Sequence, residues 1–252
     1  MRALREVVQV AGLWPLTHSQ VSLDVHGLER LAGFDTPAII VANHASHLDT
    51  AVLLSSLPAR RRRRTAVAAA ADYFFQTWWR AGGSAIAFNT FPIERGNGKL
   101  ATPGDLLAEG WSIIVYPEGT RSPDGYVARF KLGAAWLAVQ HQVPVIPVGL
   151  RGTYAAMPRN SRWVARGRPR VSVRYGAPMM PQEGETVRQF APRVSNAVHA
   201  LVQEDVTNWW AAQHQQAPAA EAPPLGSWRR TWEQSEPPAE GGLTRTGTIW
   251  RR

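Results

Sequence analysis

The chain contains no cysteine. Disulfides and thiolate metal sites are therefore excluded, which suits a reducing compartment without proving one. Lysine is almost as scarce, with Lys99 and Lys131 the only two among 28 basic residues. No apolar run reaches the ~18–20 residues that a membrane-spanning helix requires. The run at residues 7–16 is too short and has no small-residue cleavage pattern after it, so a signal peptide is not expected. These absences point to a soluble or surface-bound protein.

Arginine and tryptophan are plentiful instead. The formal charge of +9 favours polyanionic partners: nucleic acid, phospholipid surfaces or phosphorylated substrates. A compositional bias towards alanine, arginine, glycine and proline is the alternative source of that charge. Eleven tryptophans suit places where one end of a side chain is apolar and the other wet, such as a membrane interface. At 252 residues, the chain fits one large domain with or without appendages.

Residues 1–20 read as a short amphipathic segment, with Val7, Val8, Val10, Leu13 and Trp14 to one side and Arg2 and Arg5 near its start. It would pack on the domain or lie on a membrane surface. Residues 21–31 alternate loosely and read as an antiparallel edge strand, and residues 38–42 as a buried strand. Residues 50–57 continue a helix that Pro58 ends. Arg60, Arg61, Arg62, Arg63 and Arg64 then form either a solvated loop face or a contact for phosphate or anionic lipid. Residues 65–71 and 85–93 read as strands. Between them Tyr73, Phe74, Phe75, Trp78 and Trp79 have helical spacing and are either core or interface.

Thr102, Pro103 and Asp105 make a helix start, and Gly110 a stop. Residues 112–116, 143–150 and 170–175 read as further strands, and residues 130–140 and 186–206 as helices. Residues 151–174 carry seven arginines, no acidic residue and Trp163, so a basic face is expected there. Residues 211–252 read as a disordered alanine-, proline- and glutamine-rich tail. The alternation of strands and helices predicts an α/β fold: a single domain over residues 21–210 with a largely parallel central sheet flanked by helices.

The chemistry centres on Asn43-His44-Ala45-Ser46-His47-Leu48-Asp49, which follows the first buried strand. A spacing of five does not share a helix face, so His44 and Asp49 would meet across a strand-to-helix bend. A neutral imidazole held by a carboxylate can take a proton from a substrate hydroxyl. Two other readings stay open. Ser46-His47-Leu48-Asp49 is also a capping-box pattern, and His44, His47 and Asp49 could ligate a metal, although no further cluster completes such a site. Arg95 ends another strand with a planar donor fork suited to phosphate. Glu118, Gly119, Thr120 and Arg121 form a third turn, and parallel strands would bring all three turns to one sheet edge.

Four stretches in order resemble the blocks of the glycerolipid acyltransferase family, which includes the 1-acylglycerol-3-phosphate acyltransferases. They are Asn43-His44-Ala45-Ser46-His47-Leu48-Asp49, Phe91-Pro92-Ile93-Glu94-Arg95, Tyr116-Pro117-Glu118-Gly119-Thr120-Arg121-Ser122 and Val143-Pro144-Val145-Ile146-Pro147-Val148. Phe130-Lys131-Leu132-Gly133-Ala134 also fits the helix after the third block. The resemblance implies transfer of a fatty acyl group from acyl-CoA or acyl-carrier protein to a hydroxyl of lysophosphatidic acid or a related acceptor, in phospholipid biosynthesis. His44 would be the general base and Asp49 its orienting carboxylate. Arg95, Glu118, Gly119, Thr120 and Arg121 would hold the acceptor's phosphate, and residues 143–148 would help wall the acyl side.

No metal and no cofactor beyond the acyl donor is implied. One departure is Ala69-Ala70-Ala71-Asp72-Tyr73, where many relatives carry a lysine; a different headgroup is thus open. Glycerol 3-phosphate, another lysophospholipid or a lipid alcohol are the alternative acceptors. A non-catalytic basic module docking on anionic lipid or nucleic acid is the reading from another class, and nucleic acid is not the expected partner. The expected location is the cytoplasmic face of a membrane, held peripherally by an anionic lipid surface.

Overall fold

The computed structural model describes residues 8–70, 90–93, 102–161 and 163–204. They belong to one unit, Met1–Gln216; the second, Ala217–Arg252, lies outside the described residues, as do the aromatic stretch at 73–79 and the expected tail.

Among the described residues seven strands form one sheet. They are β1 Ser22–His26, β2 Ile39–Ala42, β3 Thr65–Ala70, β4 Thr90–Ile93, β5 Ser112–Val115, β6 Val145–Arg151 and β7 Arg170–Tyr175, in the order β1-β7-β6-β2-β5-β3-β4. From β6 to β4 every pairing is parallel, while β7 runs antiparallel to β6. The expected largely parallel sheet is therefore present.

Residues 21–31 do supply an edge strand, but β1 pairs parallel to β7, its only neighbour among the described residues. Alternation along a strand reports which face is wet; it carries no information on the direction of the partner. This expectation is corrected by the register of Ser22 opposite Arg170 through His26 opposite Arg174.

Both faces of the central strands are covered, which is why β2 is apolar at every position. Ile40 and Ala42 point into one core with Val52, Leu53, Tyr175 and Trp14. Ile39 and Val41 point into the other with Ala135, Ala138, Phe190 and Val194. The first core lies under helices α1 Trp14–Gln20 and α2 Leu48–Ser56. After the short turn α3 Ala59–Arg62, the second core is roofed by α4 Pro103–Ala108, α5 Gly133–His141 and α7 Val187–Glu204, with the one-turn α6 Thr153–Ala156 between β6 and β7.

Local signals set several boundaries. The Thr102 hydroxyl accepts the Asp105 N–H at 3.2 Å and the Asp105 carboxylate accepts the Thr102 N–H at 2.8 Å, a complete capping box at the start of α4. Other expectations shift. The arginine run is not all loop, since three of its members wind into α3. The helix expected from residue 130 begins at Gly133, and ahead of it the Lys131 N–H donates to the Pro117 carbonyl at 2.9 Å. At the N-terminus the wider winding of a π-helical turn, Val8–Leu13, moves Val10 off the apolar side. Trp14 is buried, but Val10 is exposed.

The basic face is also less bare than its sequence. Arg170 meets Asp24 at 2.6 Å and Arg174 meets Glu204 at 4.0 Å, carboxylates supplied by β1 and α7. Trp163 stands 84% exposed among these arginines. Among the described residues no helix is long and apolar enough to cross a membrane.

Candidate active site

The carboxyl ends of β2 and β5 open side by side, and the turns that follow them meet. Asn43, the first residue after β2, is buried and spans the gap to β6. Its amide donates to the Leu150 carbonyl at 2.9 Å and accepts the Leu150 N–H at 2.8 Å. This side chain continues the ladder where the backbone turns away, and so sets the direction in which His44 leaves the sheet.

His44 Nδ1 lies 2.8 Å from Asp49 Oδ2. The same oxygen accepts the N–H groups of Ala45 at 2.7 Å and Ser46 at 2.8 Å. Three donors converge on one carboxylate oxygen of a side chain with no exposure, so an ionised Asp49 keeps the imidazole proton on Nδ1 and leaves the Nε2 lone pair outward. His44 is 21% exposed, and Nε2 has no hydrogen-bond partner among the described residues. Asp49 Oδ1 is buried without a partner.

The two readings of Asp49 are thus compatible geometrically. Its carboxylate gathers the N–H groups ahead of α2 and also holds the histidine. The capping box is a variant: the Ser46 hydroxyl accepts the Leu48 N–H at 3.1 Å and donates to the Met157 carbonyl at 2.7 Å.

The third block closes over this bend. The Tyr116 ring stacks on His44 with centroids 4.2 Å apart and planes 17° from parallel, and its hydroxyl meets Thr50 Oγ1 at 3.1 Å. Burial holds the Tyr116 phenol well above its usual range, keeping it neutral. Glu118 is buried, and its two oxygens accept the N–H groups of His44 at 2.7 Å and Ala128 at 3.0 Å. Burial pushes its carboxyl up to about 7, against the opposing pull of those two N–H groups. The Ser122 N–H returns to the His44 carbonyl at 2.7 Å.

The expected phosphate group is therefore divided. Glu118 faces inward as a brace, with both of its oxygens taken by the backbone N–H groups of His44 and Ala128. Gly119 and Thr120 are exposed, and Arg121 is half-buried with Nη1 3.4 Å from the Arg159 carbonyl. Gly119 has φ +74° and accommodates the Lys131 ammonium, which would lie 2.6 Å from any Cβ there. Arg95 lies outside the described residues.

His47 is exposed; partial desolvation of its ring and then the nearby Arg121 charge hold its pKa below the ordinary value. Among the described residues no three metal-ligating side chains come together. Sequence reading passed over the structural parts played by Asn43, Tyr116 and Lys131. A polar amide directly after a wholly apolar strand was the one local sign available for Asn43.

The Acyltransferase family model matches residues 22–151, a span that contains all four ordered blocks. A chloroplastic 1-acyl-sn-glycerol-3-phosphate acyltransferase of Brassica napus is 32% identical over 146 residues, covering 56% of this chain and 40% of the relative. The human 1-acyl-sn-glycerol-3-phosphate acyltransferase beta is 34% identical over 113 residues, covering 44% and 40%. The chain thus spans well under two thirds of the length of these relatives. The crystal structure of the 1-acyl-sn-glycerophosphate acyltransferase PlsC from Thermotoga maritima superposes with a TM-score of 0.64 at 27% identity, covering 81% of this chain and 82% of that one. With the family model spanning just over half of its residues, the chain belongs to the Acyltransferase family.

Proposed function

We propose that the chain is an O-acyltransferase of phospholipid synthesis, moving a fatty acyl group from a thioester donor, acyl-CoA or acyl-carrier protein, to the free hydroxyl of 1-acylglycerol 3-phosphate. The observation that carries this is the 2.8 Å contact from His44 Nδ1 to a fully buried Asp49, which leaves Nε2 open at the sheet edge. Nε2 takes the hydroxyl proton as the oxygen attacks the thioester carbonyl. The tetrahedral intermediate then expels the thiolate, which recovers the proton from the imidazolium. Asp49 steadies that imidazolium, and Tyr116 keeps its plane. The chain's own nucleophile is not needed, because the substrate supplies one.

Arg121, Thr120, the Gly119 backbone and Lys131, whose ammonium approaches Gly119, would receive the acceptor's phosphate, and Arg95 is assigned to the same group on sequence grounds. The acceptor enters from a lipid surface. The exposed Trp163 and Tyr126, 84% and 77% accessible, sit on loops joined to this bend: Tyr154 donates to the Pro123 carbonyl, and Ser46 to that of Met157. They fit peripheral attachment to an anionic membrane face, on the cytoplasmic side.

The deciding assay supplies purified protein with acyl-CoA and lysophosphatidic acid and compares it with His44→Ala. Turnover lost in the variant is expected, and turnover that survives would overturn the mechanism.

A further inference from the structure

Large apolar side chains stand in solvent around the edge of the sheet that carries His44. β5 and β6 lie on either side of β2 and run parallel to it, so the segments that follow them leave from the same edge as His44. β7 returns antiparallel to β6 with Ser172 opposite Arg151, which keeps residues 152–169 at that edge. The two segments carry Tyr126, Leu132 and Trp163, which are 77%, 47% and 84% exposed.

Local hydrogen bonds fix the backbone under each of them. The Ser161 hydroxyl accepts the Trp163 N–H at 3.2 Å and donates to the Trp163 carbonyl at 2.7 Å. Asp124 Oδ1 accepts the Ser122 hydroxyl at 2.8 Å and the Tyr126 N–H at 3.1 Å. The Trp136 N–H donates to the Leu132 carbonyl at 2.8 Å, so Trp136, itself 50% exposed, continues the Leu132 side of α5. That side is turned away from Ala134, Ala135 and Ala138, which are buried. Trp136 sits one turn, about 6 Å, further along the helix.

The polar neighbours suit a headgroup layer. Lys131 is exposed beside Leu132, and Arg166 is exposed three residues after Trp163. Tryptophan and tyrosine rings flanked by cations are the composition of surfaces that rest on anionic bilayers. The opposite edge serves as a comparison. Met180 is 47% exposed there, next to the bridge of Met179 to Val145 at the start of β6. At ~3.3 Å per residue, β6 holds the two edges roughly 20 Å apart, whereas a surface-bound apolar face sinks only ~5–10 Å.

We propose that the His44 edge is the membrane-docking surface, with Tyr126, Leu132, Trp136 and Trp163 entering the headgroup layer of an anionic bilayer around the site. The occupant is a bilayer because a lipid acceptor reaches His44 through this edge, and a protein seated on it would close that route. This clause rests on the acceptor being a membrane lipid, as the proposed function has it.

The chain has no cysteine, so single cysteines report one position each. Leu132→Cys, Trp163→Cys, Met180→Cys and Glu109→Cys are labelled with nitrobenzoxadiazole and mixed with vesicles of phosphatidylglycerol and phosphatidylcholine in equal parts. Emission at 132 and 163 should shift to the blue and brighten, while emission at 180 and 109 should not change. In co-sedimentation, Leu132→Gln with Trp163→Gln should weaken vesicle binding about tenfold or more, and Met180→Gln should leave it within about twofold. Equal shifts at all four positions, or none at any, overturn the proposal. A blue shift at 132 and 163 that grows with protein concentration without vesicles assigns the surface to a second copy and also overturns it. Docking is read without substrate, so it stands or falls apart from the turnover of His44→Ala.

Discussion

The Oε1 atom of Glu118 accepts the backbone N–H of His44 at 2.7 Å, although 74 residues separate the two. The other oxygen holds Ala128, so one buried carboxylate ties the histidine bend to the segment that leads into α5. Burial pushes that carboxyl up to about 7 from an ordinary value of 4.5. Between those two pH values the folded chain keeps a proton that the unfolded chain has released. Stability is therefore fullest at or below the lower value and declines as pH rises through the window. Glu118→Gln cannot titrate, so its stability relative to the wild type should rise across the window by up to about 3 kcal/mol. Urea unfolding at pH 4.5 and pH 7.5 checks this; a difference that does not change with pH would contradict it.

Asp49→Asn removes the charge that steadies an imidazolium while nearly preserving volume. A fall in kcat of ~10²- to 10⁴-fold is expected, with little change in KM for lysophosphatidic acid. Steady-state kinetics at fixed acyl-CoA separate the two parameters. A variant changed only in KM would assign Asp49 to substrate binding instead.

Tyr116 is expected to act through its ring more than its hydroxyl. Tyr116→Phe keeps the stack on His44 and loses the Thr50 contact, at a cost of about 1 kcal/mol in stability and little in turnover. Tyr116→Leu removes the flat wall and should lower kcat about tenfold or more through loss of orientation. Thermal melts and kinetics on both variants test the split, and equal turnover in the two would remove the ring from the argument.

Arg121→Ala and Lys131→Ala should each raise KM for lysophosphatidic acid about tenfold, as expected for a lost charge-assisted hydrogen bond. Activity on an uncharged monoacylglycerol should hardly change. A panel of the two acceptors is the measurement; parallel losses on both would place these cations away from the phosphate.

Asn43→Ala leaves the Leu150 N–H and carbonyl buried without their partner, and each orphaned group costs about 1–3 kcal/mol. For a domain of this size the melting temperature should fall by roughly 5–15 °C. Calorimetry reads that shift, and a drop under about 2 °C would mean that water replaces the amide.

Much of the scaffold was readable before any coordinate. The Ile39–Ala42 and Ser112–Val115 strands are short apolar runs between turn residues. The Arg170–Tyr175 strand matches its expected bounds, and Thr102 with Asp105 announced a helix start that the capping box forms. Each rests on local physics: a side chain's own backbone, or the alternation of faces along a few residues. The parallel pairing of β1 and the inward turn of Glu118 depend on groups far along the chain. No local pattern reports those.

For this protein, the sequence by itself determined which segments had to be buried and that a histidine and a carboxylate would flank the bend after the first core strand. It could not decide whether Asp49 caps a helix or holds His44, because both uses draw on the same short pattern. Tertiary structure decided that one oxygen does both. The strand order carries the third block over the bend, Glu118 and Ser122 then fix the backbone of His44, and only that closure leaves Nε2 facing out with Nδ1 held. The physical reason is that hydrogen bonds across 74 residues exist only after the sheet has assembled around its two apolar faces.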